Sequence, residues 1–401
     1  MKTVYPLLLI LVLAAGFSAC TEDSNPQFDK KAFTKVFDNN KFDASNFPID
    51  MRQTPDGGYL ILGGRTLTDS DFVGIYLMKA DENGNFIKEI EVESTAVHPI
   101  GHFTEYQTKY YFLCMDPLSQ QAKIASVDAN LEGVTMVDVQ GGLTYPAAAS
   151  FVDNNFVVVG YNNGDKLTTI SIVSPDGGVL SQKGFSIGTG EDIEQPIINH
   201  YIRTGRQYPF EAGKAPNGLY YFNGFYNYTF SLVFTNMNAD DPSGVVQGQQ
   251  DDGGFSAVLP LSGNKFASAR FNYGDNFLLP NKDLSGSSIT SSTDLGGYSL
   301  PELVANAKVR ILRATINTKD ILIYGSDTKS KQIGLLFYDG STGEFIGSRY
   351  LGFSNPYEIA SITQTLDGGL AVCGTTQLAG RFPRICIIKI SKEELEGDAS
   401  K

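Results

Sequence analysis

Short apolar runs of four to eight residues recur along the chain, and each is cut off by glycine or by a turn-forming cluster. The clearest is Asp56-Gly57-Gly58-Tyr59-Leu60-Ile61-Leu62-Gly63-Gly64, followed by a second run from Gly74 to Ala80 and the turn Asp81-Glu82-Asn83-Gly84-Asn85. Near the other end the pattern returns as Asp367-Gly368-Gly369-Leu370-Ala371-Val372-Cys373-Gly374, then Arg384 to Ile390. Runs of this length, rich in β-branched and aromatic residues and bounded by glycine, predict strands. Asp-Gly-Gly supplies residues that tolerate positive φ at a turn, and Asn83-Gly84 is a hairpin signal.

Aligned on Tyr59, matching segments begin at Tyr110, Phe156, Tyr220, Phe266, Ile321 and Leu370. Five of the seven carry glycine four residues on, at Gly63, Gly160, Gly224, Gly325 and Gly374. Third-strand runs recur at 74–80, 122–128, 167–174, 230–236, 333–339 and 384–390. Blade five is the weakest match, with Phe277 to Pro280 its candidate third strand. Seven units of roughly 50 residues, each of four short strands, predict an all-β fold: a seven-bladed β-propeller. An open array or a pair of β-sandwiches is the rival architecture. The last unit ends near Glu394 with little left for a fourth strand. Residues 31–38, which lack a unit of their own, are therefore expected to pair as its outer strand and protect an open edge. The repeats resemble those of D-G-G-Y-I-L-x-G type propellers in secreted and envelope proteins, departing from them in having no tryptophan.

The N-terminus adds a location. Lys2 precedes an apolar run from Val4 to Phe17, too short for a spanning helix, and residues 1–19 read as a secretory signal. Leu13-Ala14-Ala15-Gly16-Phe17-Ser18-Ala19-Cys20 resembles the lipobox of bacterial lipoproteins, with Phe17 where leucine is usual. That resemblance implies acylation of Cys20 and an outer-membrane lipoprotein; an ordinary signal cut near Ala19 is the alternative. Anchoring by several acyl chains would be stable, since each buried CH₂ contributes about 0.8 kcal/mol. Thr21-Glu22-Asp23-Ser24 resembles the surface-export signal of one group of such lipoproteins, or is a plain polar tether. The expected organisation is signal 1–19, flexible tether 20–30 and a single propeller domain over 31–397.

The expected mature chain carries 30 basic against 44 acidic residues, a formal charge of −14. That balance disfavours nucleic acid and anionic headgroups as partners. Cys114, Cys373 and Cys386 read as buried free thiols, with a Cys373–Cys386 bridge across one hairpin as the alternative. No zinc-site or nucleophile-elbow signature surrounds His98, His102 or His200. Neither cofactor nor metal is expected, and no catalytic set is recognised.

Two acidic stretches, Glu191-Asp192-Ile193-Glu194 and Asp251-Asp252-Gly253-Gly254, read as solvated loops leading into blades four and five. Calcium binding or paired-carboxylate chemistry on a sugar are the sharper alternatives. The more informative residues lie between second and third strands of three consecutive blades: Tyr161 and Asn162; Tyr226, Asn227 and Tyr228; Asn272 and Tyr273. Tyrosine offers an apolar plane with a polar tip, and asparagine both donor and acceptor. Such a set suits a glycan or an envelope protein; the competing reading is turn formation and packing between blades. An insertion over 203–216, basic and aromatic through Arg203, Arg206, Tyr208 and Phe210, is expected to project from the opposite face as a partner contact. The sequence thus points to a lipid-anchored, non-enzymatic binding or scaffold protein of the cell envelope. A propeller-fold glycan hydrolase or lyase using loop carboxylates is the alternative.

Overall fold

The structure is a computed structural model that describes residues 32–38, 45–92, 95–284, 286–377 and 382–400. The expected signal, Cys20 and the tether lie outside the described residues. Seven blades of four antiparallel strands form a ring, a seven-bladed β-propeller, with one further strand added in parallel to the fourth blade. The innermost strands are Asn46–Gln53, Thr104–Tyr106, Pro146–Val152, Glu211–Lys214, Gly253–Pro260, Val309–Ile316 and Tyr357–Gln364, for blades one to seven in order. All seven anchor residues lie in the second strand of a blade.

Third strands are nearly continuous apolar runs because blades stack on both of their faces. In Val73–Ala80 only Val73 is not fully buried, and Arg384–Ile390 is buried throughout. Clusters between blades fill the gaps: Leu60, Leu62, Ile75 and Leu77 of blade one pack with Phe103, Tyr110 and Phe112 of blade two.

Ring closure follows the expectation. Phe33–Val36 is the outer strand of blade seven, antiparallel to its third strand, with Phe33 opposite Lys389 and Val36 opposite Cys386. In the same blade Cys373 pairs with Ile387 and Gly374 with Cys386. Consecutive residues point to opposite sheet faces, so the two cysteines point apart. Both are free and buried, as is Cys114.

The Asp-Gly-Gly turns are built as locks. Thr54 donates to Asp56 Oδ1, which also accepts from the Gly58 N–H at 3.0 Å, and Lys79 reaches both side chains from the third strand. Thr365, Asp367, Gly369 and Lys389 repeat the arrangement in blade seven. Gly57 and Gly368 occupy φ of 81° and 83°, where a side chain would be strained.

Blade five is irregular, as its sequence is. Its third strand runs Asp275–Asp283, enclosing the predicted segment, but its outer strand is only Tyr298–Ser299. The intervening Ile289–Ser291 instead joins blade four, parallel to Gly244–Gln247.

Candidate binding face and channel mouth

The connection into each blade emerges where its inner strand begins. The second strand runs the other way, so the turn leading to the third strand lies on that same face. The predicted Tyr/Asn residues therefore share one face, but they do not share one environment. Tyr161 is buried in an aromatic core, 2% exposed, and does not present its ring. Tyr226 is half-buried against Phe185 between blades three and four. Asn162 caps its own turn, accepting from the Gly164 and Asp165 N–H groups, both at 3.0 Å. Asn272 pairs with Gly253 in the sheet. Asn227 is exposed, and Tyr228 and Tyr273 keep 45% and 70% of their surface.

Those two tyrosines are held by backbone. Tyr228 and Tyr273 adopt φ of 68° and 47°. Tyr228 N–H donates to Ile187 O at 2.8 Å, and its ring lies over Gly188. Tyr273 N–H donates to Asp252 O at 2.8 Å, and the next residue's N–H to Asn306 Oδ1 at 3.0 Å. Turns of blades four and five are thereby stitched to three successive inter-blade connections.

The insertion departs from expectation. Glu211–Lys214 is the inner strand of blade four, so 187–210 is the connection from blade three and lies on the Tyr228 face, not the opposite one. Its polar sequence hid that strand. The connection also contains a helix, α1 (Glu191–Tyr201), where an acidic loop was expected. Glu191, Asp192 and Glu194 occupy its first turn, where carboxylates favour the helix dipole. Ile193, Ile197, His200 and Tyr201, spaced i, i+4, i+7 and i+8, are its buried side.

The connection caps part of the face. Its core gathers Leu67 and Phe72 of blade one, Val97 and Met115 around blade two, Tyr161, then Phe225, Phe230 and Phe271 of blades four and five. Arg203 N–H donates to Asp71 O at 2.7 Å and its Nη1 to Leu67 O at 2.8 Å. Arg206 Nη1 and Tyr208 Oη both donate to Asp251 Oδ2, at 3.2 and 3.0 Å, so this acidic stretch is tied down. Tyr208 is buried and Phe210 packs beside it. Of the four expected partner contacts, the two arginines are exposed, Phe210 is half-buried and Tyr208 is buried. His200 Nδ1 accepts from Tyr208 N–H at 2.9 Å, and its ring meets His98 edge-on. No metal-binding group exists among the described residues.

Sequence reasoning missed a set of charges around the channel axis, contributed by the inner strands of blades one, four and six and by the end of the second strand of blade six. Asp50 is buried and accepts from the Phe103 N–H at 2.7 Å; Arg52 Nε donates to Phe103 O at 3.0 Å. Glu211 Oε2 accepts from Val258 N–H at 3.0 Å, and Asp327 Oδ1 from Ile359 N–H at 2.6 Å. Arg310 Nε donates to Ala360 O at 2.6 Å, beside a register shift in the inner strand of blade seven. Each bond crosses from one blade to the next. Arg310, on blade six, interacts electrostatically with Asp50 of blade one and Glu211 of blade four, two blades away on either side. Arg310 lies near the start of an inner strand, the part of each blade closest to the axis. Burial pushes the Glu211 carboxyl up to about 8, with Arg310 pulling the other way. Burial pushes His102 down to about 4 despite Asp50. For Asp50 burial is outweighed by Arg52, His102 and its hydrogen bonds, and its carboxyl is lowered. The only residue-type signal available was a charged residue within an apolar run, which many surface strands share.

No family model and no curated protein matches the chain. Among solved structures it is similar to the β-propeller domain of the Trilobed protease from Pyrococcus furiosus, reported to have an open velcro topology. That likeness has a TM-score of 0.47 and 8% identity, covering 87% of this chain and 95% of that one. The acylaminoacyl peptidase of Pyrococcus horikoshii matches with a TM-score of 0.49 and 10% identity, over 88% of this chain and 53% of its own. A protein of unknown function from Bacteroides caccae matches at 0.38 and 14%, over 84% and 90% of the two chains. These likenesses concern the fold alone.

Proposed function

We propose that this chain is a lipid-anchored, non-enzymatic binding protein of the bacterial outer membrane, acylated at Cys20, that holds a glycan on its inter-blade face. The observation that carries this reading is the pair Tyr228 and Tyr273. Both are exposed, both sit at positive φ, and both are fixed by backbone hydrogen bonds to neighbouring connections. A solvent-facing aromatic side chain on a fixed backbone has only its own torsions left to order on binding, which lowers the entropic cost of stacking. Asn227 and Arg206 add exposed polar groups beside them. The resemblance of the first twenty residues to a lipoprotein signal supplies the anchor.

The test is a glycan array with the intact protein, repeated with Tyr228→Ala/Tyr273→Ala. Glycan retention that the double variant loses supports the reading. Stable co-purification with an envelope protein and no glycan retention replaces the glycan with a protein partner. Turnover of a retained glycan that disappears with Asp252→Asn would make the chain an enzyme.

A further inference from the structure

The channel charges divide into two groups by what already holds them. The carboxylates of Asp50, Glu211 and Asp327 each accept a backbone N–H from the adjoining blade. The cations of blade six are held far less. Arg310 is the second residue of the inner strand of blade six and Lys308 immediately precedes that strand, two residues before Arg310. Arg310 commits Nε to Ala360 O. Among the described residues no hydrogen bond or ion pair engages Lys308 Nζ or the two Arg310 Nη groups. Lys308 is exposed and Arg310 partly so, but burial of the ammonium group at the channel mouth, with Arg310 beside it, pushes Lys308 down to about 7, so it is a full cation on the acid side of neutrality. The donors are thus accessible and unused.

Acceptors stand beside them. Glu358, the second residue of the inner strand of blade seven, is exposed and within electrostatic range of Lys308. Asp327 ends the second strand of blade six on the same face. The capping connection packs on blades one to five, and its apolar core includes no residue of blade six or seven. Among the described residues, the sector that holds Lys308, Arg310, Asp327 and Glu358 therefore lies outside the capping connection.

We infer that this sector of the channel mouth binds a small polyhydroxylated carboxylate, of the uronic-acid type. Its carboxylate sits between Lys308 and Arg310, whose planar fork suits two parallel N–H···O bonds. Its hydroxyls donate to Glu358 and Asp327, which a carboxylate ligand alone would repel. The chemistry requires both signs of charge side by side, and that is what the strand starts of blades six and seven provide. The inference stands apart from the Tyr228/Tyr273 face: its residues lie on other blades, and its probe is a monosaccharide acid.

The experiment is calorimetric titration of the intact protein with D-glucuronate, with D-glucose as the neutral twin and inorganic phosphate as a plain anion. Saturable glucuronate binding is expected, with glucose and phosphate each weaker by about tenfold or more. Lys308→Gln should weaken glucuronate by about tenfold at an unchanged melting temperature, since the exposed side chain holds nothing in place. Glu358→Gln should reduce the preference for glucuronate over phosphate. Absence of saturation, equal binding of phosphate, or glucuronate binding indifferent to Lys308→Gln would each overturn the inference.

Discussion

Lys389 Nζ lies 2.5 Å from Asp367 Oδ2, with 2% and 6% of the two side chains exposed. Burial alone would raise the Asp367 carboxyl, but Lys389, Thr365 and the Gly369 N–H together lower it. In blade one the equivalent Lys79 is as buried, whereas Asp56 keeps 52% of its surface. Removing the lysine should therefore cost more in blade seven. Lys389→Met leaves a buried carboxylate unpaired and is expected to destabilise by about 3–5 kcal/mol. Lys79→Met should cost about 1–2 kcal/mol, because water can reach Asp56. Urea denaturation of both variants checks the order; equal losses would contradict it.

Gly63 and Gly374 lie at equivalent positions within the second strands of blades one and seven, and neither is needed for positive φ. A Cβ at Gly374 would stand 2.2 Å from Glu358 O, and one at Gly63 2.7 Å from Phe47 O. Both contacts are with backbone of the inner strand and cannot be relieved by a rotamer change. Gly374→Ala is expected to destabilise by about 1–3 kcal/mol. Gly133→Ala, with nothing within 4 Å, is the control and should shift the melting temperature little.

Stability should peak near neutral pH. The Glu211 carboxyl is raised in the fold from 4.5 to about 8. The folded state then holds the proton more tightly, so its contribution is complete below the unfolded value and is lost as pH rises through about 8. His98 and His102 are pushed down by burial to about 4, and His200 well below its ordinary value. Their contribution is complete above about 6.5 and is lost as pH falls. Glu211→Gln should flatten only the alkaline limb, by on the order of 1–2 kcal/mol between pH 6 and 9 after allowance for screening by channel water. Denaturation midpoints across that range read the effect.

Tyr273 and Tyr161 separate binding from packing. Tyr273→Ala should change stability by less than about 0.5 kcal/mol, as exposed substitutions do. If the face binds a glycan, the same change should weaken binding by more than about 1 kcal/mol. Tyr161→Ala should do the reverse and lower stability by about 3 kcal/mol or more, because its ring fills the core under the capping connection. Thermal melts and binding isotherms on both variants decide it.

What could be read from the sequence was what repeats. Asp56-Gly57-Gly58 and Asp367-Gly368-Gly369 impose the same turn chemistry twice, and their strands recur at a near-constant spacing. Blade count, anchor residues and the closing strand follow from that periodicity. The parallel addition of Ile289–Ser291 to blade four was illegible, since a pairing between distant segments leaves no local mark. Helix α1 did leave one, in the spacing of Ile193, Ile197, His200 and Tyr201, obscured by Pro196 and the glycines before it. The channel set was hidden for another reason. Asp50, Glu211 and Arg310 are single residues whose proximity exists only once the ring is closed.

That closure orders events in time. Phe33–Val36 is among the earliest parts of the propeller to leave the ribosome, and its partner Cys386–Lys389 is among the last. A contact spanning roughly the whole chain carries a large loop-closure cost and forms slowly. The first strand must therefore wait, unpaired and β-prone, while six blades assemble between it and its destination. Through that interval blade seven has an open edge, and the nascent protein is most exposed to mispairing with another copy.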